Sequence, residues 1–201
     1  MPVFEKEIER KEWFGSDKQF DQLYPDCIRK LASRHWTPVI VAKKVARYLS
    51  ADKNARVLDI GSGVGKFCLA AGYYEPNATF FGVEQRESLT NYAKSAKEIL
   101  CMDNVKFFND NFTSLDFKSF DHFYFFNSFY ENLNGTDKID DSIVYSSERF
   151  HYYSRFLYRQ LEMKPPGTRI ATYHSLETEV PNSYHIVAED SNELLKFWMK
   201  V

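Results

Sequence analysis

Residues Val57 to Lys66 read Val-Leu-Asp-Ile-Gly-Ser-Gly-Val-Gly-Lys, an apolar run that meets an acid and then three glycines at alternate positions. Such a segment predicts a buried strand, a tight turn and a helix, the last over Lys66 to Tyr74. Gly61, Gly63 and Gly65 can take positive φ and leave no Cβ in the way of an approaching ligand. The first amides of the helix lack intrahelical partners and would face that ligand.

The spacing narrows the choice of ligand. A dinucleotide turn reads G-x-G-x-x-G, whereas the third glycine comes one residue early here, at Gly65, and Lys66 stands where glycine is wanted. A phosphate-binding loop needs Ser or Thr after its lysine, and this chain has Phe67. Asp59, two residues before the first glycine, would repel a pyrophosphate but could accept hydrogen bonds from a cationic amino-acid moiety. A solvated acid at an ordinary turn is the competing reading.

These residues resemble the first motif of the class I S-adenosylmethionine-dependent methyltransferases. The resemblance implies a Rossmann-like, doubly wound α/β sheet of about seven strands, mostly parallel with an antiparallel C-terminal hairpin. It also implies S-adenosyl-L-methionine as cofactor, cradled by Gly61, Ser62, Gly63 and Gly65 with Asp59 at its amino-acid end. Glu84 closes the next apolar run, Thr79 to Val83, where an acid can chelate ribose hydroxyls, and Gln85 lies beside it. Glu84 alone does not separate this donor from a nicotinamide. Asp110, with Asn111 and Phe112, follows a third apolar run and is the candidate for the adenine amino group, although Asx residues also simply make turns.

From Arg56 onward strands and helices alternate. Strands are expected at 56–60, 79–84, 104–109, 121–127 and 168–174, helices at 65–74, 87–100 and 145–162, and a terminal hairpin from 184–188 and 194–201. Residues 1–50 read as an N-terminal helical cap over the core of 51–201, the whole being one domain of 201 residues. Within the cap, Phe4, Ile8 and Glu12 share helical spacing, and Ser16 with Gln19 makes a capping box. A further helix is expected from Asp26 to about His35. Thr37 and Pro38 then begin another as N-cap and first helical residue, carrying Val41, Val45 and Leu49 inward.

The fourth strand runs into Phe125-Phe126-Asn127-Ser128-Phe129-Tyr130-Glu131. Ligands in doubly wound sheets sit beyond the carboxyl ends of strands, so Asn127 and Phe129 are the candidates for placing the acceptor, with Asn127 also touching the cofactor. An asparagine oxygen accepts from an amine, and an aromatic face stabilises a developing cation. The segment is similar to the Asn/Asp-Pro-Pro-Tyr/Phe motif of amino-methyltransferases, with Ser128 replacing the first proline. It resembles still more the Asn-Asn-Phe element of non-SET histone lysine methyltransferases, whose glycine loop also reads Gly-Ser-Gly-Val-Gly. His35-Trp36-Thr37-Pro38 resembles the Phe/Tyr-Thr-Pro element of adenine amino-methyltransferases, which implies that Trp36 and Thr37 close over the donor's methionine part, Tyr24 being a further candidate. The expected activity is methyl transfer to an amino nitrogen, of a protein lysine or a nucleic-acid base. A small-molecule acceptor, or a donor-binding protein without catalysis, is the alternative.

Charge leaves the acceptor open. A net charge of −2 gives no global basic footprint for nucleic acid. Locally, Arg29, Lys30, Arg34, Lys43, Lys44, Arg47, Lys53 and Arg56 face only Asp52 in their stretch, a patch that also fits a solvated helix face. The polar stretch from Glu131 to Ser147 is acidic and reads as a binding lid or a surface insertion. Cys27, Cys68 and Cys101 form no C-x-x-C pair and read as small reduced core residues, and the five histidines show no metal spacing. With no apolar leader and no run near ~18 apolar residues, a cytoplasmic protein is expected.

Overall fold

The computed structural model describes residues 12–190 and 193–201. Helices α1 (Asp17–Asp21), α2 (Asp26–Arg29), α3 (Ala32–His35) and α4 (Val39–Leu49) precede the sheet. Then come β1 (Arg56–Ile60), α5 (Lys66–Tyr74), β2 (Thr79–Glu84), α6 (Glu87–Ile99), β3 (Val105–Asn109) and β4 (His122–Phe126). Helix α7 (Ser147–Glu162), β5 (Arg169–Tyr173), β6 (Tyr184–Asp190) and β7 (Leu195–Lys200) complete the chain.

The seven strands lie in the order β3-β2-β1-β4-β5-β7-β6. The pairs from β3 to β5 are parallel, whereas β7 is antiparallel to both β5 and β6. This is the Rossmann-like sheet with an antiparallel C-terminal pair that the strand pattern predicts. The order reverses between β1 and β4, and a crevice opens at that switch point beyond the strands' carboxyl ends.

Both faces of the sheet are covered because strand side chains alternate. Val57, Phe80, Val105, Tyr124 and Ala171 point to α4, α5 and α6, where Val45, Leu49, Leu69 and Leu89 close the core. Leu58, Phe81, Phe123, Phe125 and Ile170 point the other way, to Leu157 and Leu161 of α7 and an aromatic group of Phe112, Phe117 and Phe120. Val41, Val45 and Leu49 are inward as their spacing predicts, and Lys43, Lys44 and Arg47 form the exposed face of α4.

Several local expectations are corrected. The segment from Asp26 to His35 is two short helices separated at Lys30 and Leu31. Helix α4 starts at Val39 with Pro38 at the cap position, so Thr37 is not its N-cap. The Val39 amide is satisfied by Asp17 Oδ1 at 2.9 Å instead. Ser16 does cap α1, accepting from the Gln19 amide at 3.3 Å. Cys27 and Cys101 are exposed, and of the three thiols Cys68 alone is in the core. Phe4, Ile8 and the hairpin tip at Ser191 and Asn192 lie outside the described residues. No helix among the described residues is long and apolar enough to cross a membrane.

Candidate active site

The three glycines of the turn do different work. Gly61, Gly63 and Gly65 have φ of 77°, 53° and 82°. A Cβ on Gly65 would stand 2.4 Å from the Phe107 ring, and one on Gly61 would stand 3.1 Å from Ser128 Cβ. A Cβ on Gly63 would meet nothing within 4 Å. Gly65 therefore serves packing, Gly61 a close approach to β4's end, and Gly63 faces open space. Gly61 and Gly63, with Val64, line a cavity of about 1110 Å³ at the switch point. Ser62 does not line it; its Oγ lies 2.6 Å from where a Cβ on Gly82 would be. Gly82, in the middle of β2, is a requirement that the sequence pattern does not announce.

Asp59 is corrected most sharply. Its β1 position turns it away from the cavity and toward α5, where Cys68 Sγ donates to Oδ2 at 3.6 Å. It is 3% exposed. Burial pushes its carboxyl up to about 8, so at neutral pH it is a protonated acid behind the turn rather than a receptor for a cation.

Glu84 is at the cavity, at the end of β2, where the apolar run predicts it. Its Oε2 accepts from the Gly63 amide at 3.1 Å and its Oε1 from the Arg86 amide at 2.9 Å, so the acid and the glycine turn hold each other. Burial raises its pKa, and those amides and the Arg86 guanidinium oppose the rise. Arg86, which sequence reasoning missed, is 6% exposed and sits among four partners. It reaches Glu84 at 3.5 Å, Asp140 at 3.2 Å, Tyr145 Oη at 2.8 Å and, closest, Glu131. The polar stretch after β4 is thus tied to the end of β2. Its sequence signal is a cation two residues after the strand-end acid Glu84 and several acids in a long loop.

Beside the main cavity a small pocket of about 40 Å³ is lined by Glu84, Gln85, Asp110 and Phe112, which brings the nucleoside-site candidates together. Asn111 lines neither space. Its Oδ1 accepts from the Thr113 amide at 3.0 Å, and its Nδ2 donates to Tyr153 Oη at 2.8 Å and Gln85 Oε1 at 3.2 Å. It braces Gln85 from behind. Phe129 belongs with this group and not with the acceptor: it is buried, stacked on Phe112 at 5.0 Å and close to Tyr153 at 5.6 Å.

Asn127 and Phe126 line the main cavity, with Tyr130, Tyr173 and His174 around them. Asn127 follows β4 with φ 51°, a left-handed conformation that costs a non-glycine residue roughly 1 kcal/mol or more. Its amide donates to Ser175 Oγ at 3.3 Å, but its Oδ1 is buried without a hydrogen-bond partner among the described residues. A strained residue beside the cavity with a shielded, unpaired amide oxygen, which a turn of the side chain would present to a ligand, suits a binding site for an N–H group. Since Phe126 pairs with Tyr173, His174 follows β5 beside Asn127, and it too is left-handed at φ 54°. Burial holds its imidazole below the usual histidine range.

The N-terminal helices supply the opposite wall. Trp36 is 6% exposed, lines the cavity and packs edge-on to Tyr24 at 5.0 Å. Tyr24 does not reach the cavity; it donates to the Val64 carbonyl at 2.9 Å and pins the cap on the glycine turn. Thr37 is buried, its hydroxyl 2.7 Å from Tyr124 Oη, and it does not line the cavity.

Similarity to known proteins agrees with this fold. The family described as Methyltransferase domain matches residues 51–200. A tRNA (guanine-N(7)-)-methyltransferase from Synechococcus sp. (strain JA-3-3Ab) is 44% identical over 50 residues, which are 25% of this chain and 21% of that protein. The match therefore spans about a fifth of that curated relative. An RNA methyltransferase from Salinibacter ruber, solved with S-adenosyl-L-homocysteine, superposes with a TM-score of 0.57 at 19% identity, covering 82% of this chain and 92% of that one. Magnesium protoporphyrin IX methyltransferase from Synechocystis PCC 6803, solved with bound S-adenosylmethionine, superposes with a TM-score of 0.56 at 17% identity, covering 98% and 97%. At such identities these two structures speak for the fold alone. The open cradle at Gly63, the strand-end acid Glu84 and Asn127 all line the cavity at the switch point of that fold. The chain belongs to the methyltransferase domain family.

Proposed function

We propose that this protein is an S-adenosyl-L-methionine-dependent methyltransferase that acts on a nitrogen, in a nucleic-acid base. The single observation that carries the nitrogen is Asn127 Oδ1, a shielded acceptor with no partner among the described residues, on a residue that lines the cavity at the end of β4. When bound, S-adenosylmethionine supplies an electrophilic methyl group on sulfur. In this reading Gly61 and Gly63 offer it bare backbone, Trp36 covers it, Glu84 faces its ribose, and Asp110, Gln85 and Phe112 surround its adenine. Asn127 then accepts a hydrogen bond from the acceptor N–H and aims the nitrogen lone pair, so that orientation supplies much of the rate. Phe126 and Tyr130, rather than Phe129, give the aromatic wall against which a flat base can lie.

Two features favour nucleic acid. The curated relative that matches over 50 residues is a tRNA methyltransferase, and Arg29, Lys30 and Arg34 line the cavity on the cap side. The second reading is a protein lysine, which the acids of the facing loop, Glu131 and Asp137, and the histone lysine resemblance favour. Methyl transfer from labelled donor into cell extract tests both. Label that nuclease treatment of the extract abolishes is the expected result, and label abolished by protease instead would move the assignment to lysine. Label that survives both treatments would contradict a macromolecular acceptor.

A further inference from the structure

We propose that the amino-acid end of the methyl donor is held by Lys66 and Asp21, so that the N-terminal helices complete the cofactor site that the glycine turn begins. The inference rests on the cofactor lying along Gly61 to Gly65, as argued above. It starts from a vacancy of role: Asp59, the acid expected at that end, is walled off behind the turn on Cys68.

Lys66 is the first residue of α5, next to the turn, and it lines the cavity although only 4% of it is exposed. Its Nζ stands 2.6 Å from Asp21 Oδ1 and 2.7 Å from Asp17 Oδ1, both on α1 and both cavity residues. The rings of Trp36 and Phe20 lie 5.4 and 5.5 Å from it. An ammonium group has three donors and this one uses two on carboxylates, which leaves a third for an incoming carboxylate.

The two acids are not equivalent. Asp17 Oδ1 also accepts from the Val39 amide, so Asp17 is committed to starting α4. Among the described residues Asp21 uses Oδ1 on Lys66 alone, and it is the more buried, at 18% side-chain exposure against 48%. Two carboxylates around one ammonium leave a surplus negative charge beside the cavity, which suits an α-ammonium group, while Lys66 suits the α-carboxylate. Asp17 and Asp21 precede the part of the chain that the family match covers. A purely structural tether between α1 and α5 would show the same ion pairs, and ligand chemistry separates the two.

Calorimetry with two ligands does so without any acceptor. S-adenosylhomocysteine carries the amino-acid end, and methylthioadenosine keeps the nucleoside and sulfur but lacks it. The unmodified protein is expected to bind S-adenosylhomocysteine about tenfold or more tighter than methylthioadenosine. Asp21→Asn and Lys66→Gln should each lower the first affinity by about tenfold and leave the second within about twofold, a loss typical of one charge-assisted contact. An unchanged S-adenosylhomocysteine affinity in both variants overturns the assignment, and so does an equal loss of both ligands. If the unmodified protein binds neither, the cofactor placement itself is contradicted and this inference falls with it.

Discussion

On one side of the cavity Gly61 to Gly65 is held by backbone, with the Gly61 and Ser62 amides on the Val83 carbonyl at 3.0 Å and the Gly65 amide on the Ser62 carbonyl at 2.8 Å. On the other side the stretch after β4 is held by side-chain charge, through Arg86 to Glu131 and Asp140 and through Arg34 to Asp137 at 2.7 Å. The first wall depends on backbone bonds and on the buried Glu84 carboxylate that accepts from the Gly63 amide, and burial shields it from salt. The second depends on ion pairs, and its exposed member, Arg34 with Asp137, is open to screening. A fixed cradle thus faces a wall whose hold on the cap can be adjusted.

The largest expected effect strikes the backbone wall. Gly65→Ala would place a methyl group against Phe107 and Ala93 at a left-handed φ, and overpacking plus backbone strain should cost about 3 kcal/mol. A melting temperature lowered by about 6–12 °C is the result to look for; a shift under a degree would mean that the turn yields more easily than its packing implies. Next comes pH, acting behind the same wall. The folded Asp59 carboxyl keeps its proton up to about 8, whereas the unfolded chain releases it near ~4. The folded pKa being the higher, stability present below that lower value is lost as pH rises through the window from about 4 to 8, at about 1 kcal/mol per pH unit. Urea unfolding of Asp59→Asn between pH 5 and 8 should lack this slope, and a slope unchanged by the substitution would refute the neutral buried acid. The smallest effect belongs to the charged wall. Arg34→Ala removes a pair whose side chains are 65% and 66% exposed, so unfolding should shift by less than about 0.5 kcal/mol; a larger loss would show that the contact is not merely a surface one.

The same contrast explains what the sequence makes legible. Strand and helix positions from β1 to β7 follow from runs and turns whose pattern is local, and the glycine spacing marks the cradle because backbone freedom is written in residue type. Glu84 is readable for the same reason: it ends a strand. Asp59 is not, because one residue's parity in β1 decides whether it faces ligand or Cys68, and motif spacing does not carry parity against a helix. Phe129 fails similarly, since the turn after Asn127 sends it to Phe112 while Tyr130 takes the cavity. The contacts of Arg86 with Glu131 and Asp140, and of Lys66 with Asp17 and Asp21, join residues far apart in the chain, and only the fold brings them together. Thr-Pro commonly starts helices, which makes Thr37 the cap expected from sequence, but Asp17 from another helix supplies that acceptor.

In the proposed function Gly63 is the bare point of the cradle on which the cofactor lies. Gly63→Ala adds a methyl group where the protein itself offers no neighbour within 4 Å, so stability should fall by only about 1–2 kcal/mol, the strain of a left-handed alanine. Titration of the folded variant with S-adenosylhomocysteine should show affinity reduced by about tenfold or more relative to the unmodified protein, on the order of the ~1.4 kcal/mol that one such factor represents. A folded Gly63→Ala protein that binds S-adenosylhomocysteine as tightly as the unmodified one would contradict the placement of the cofactor on this turn.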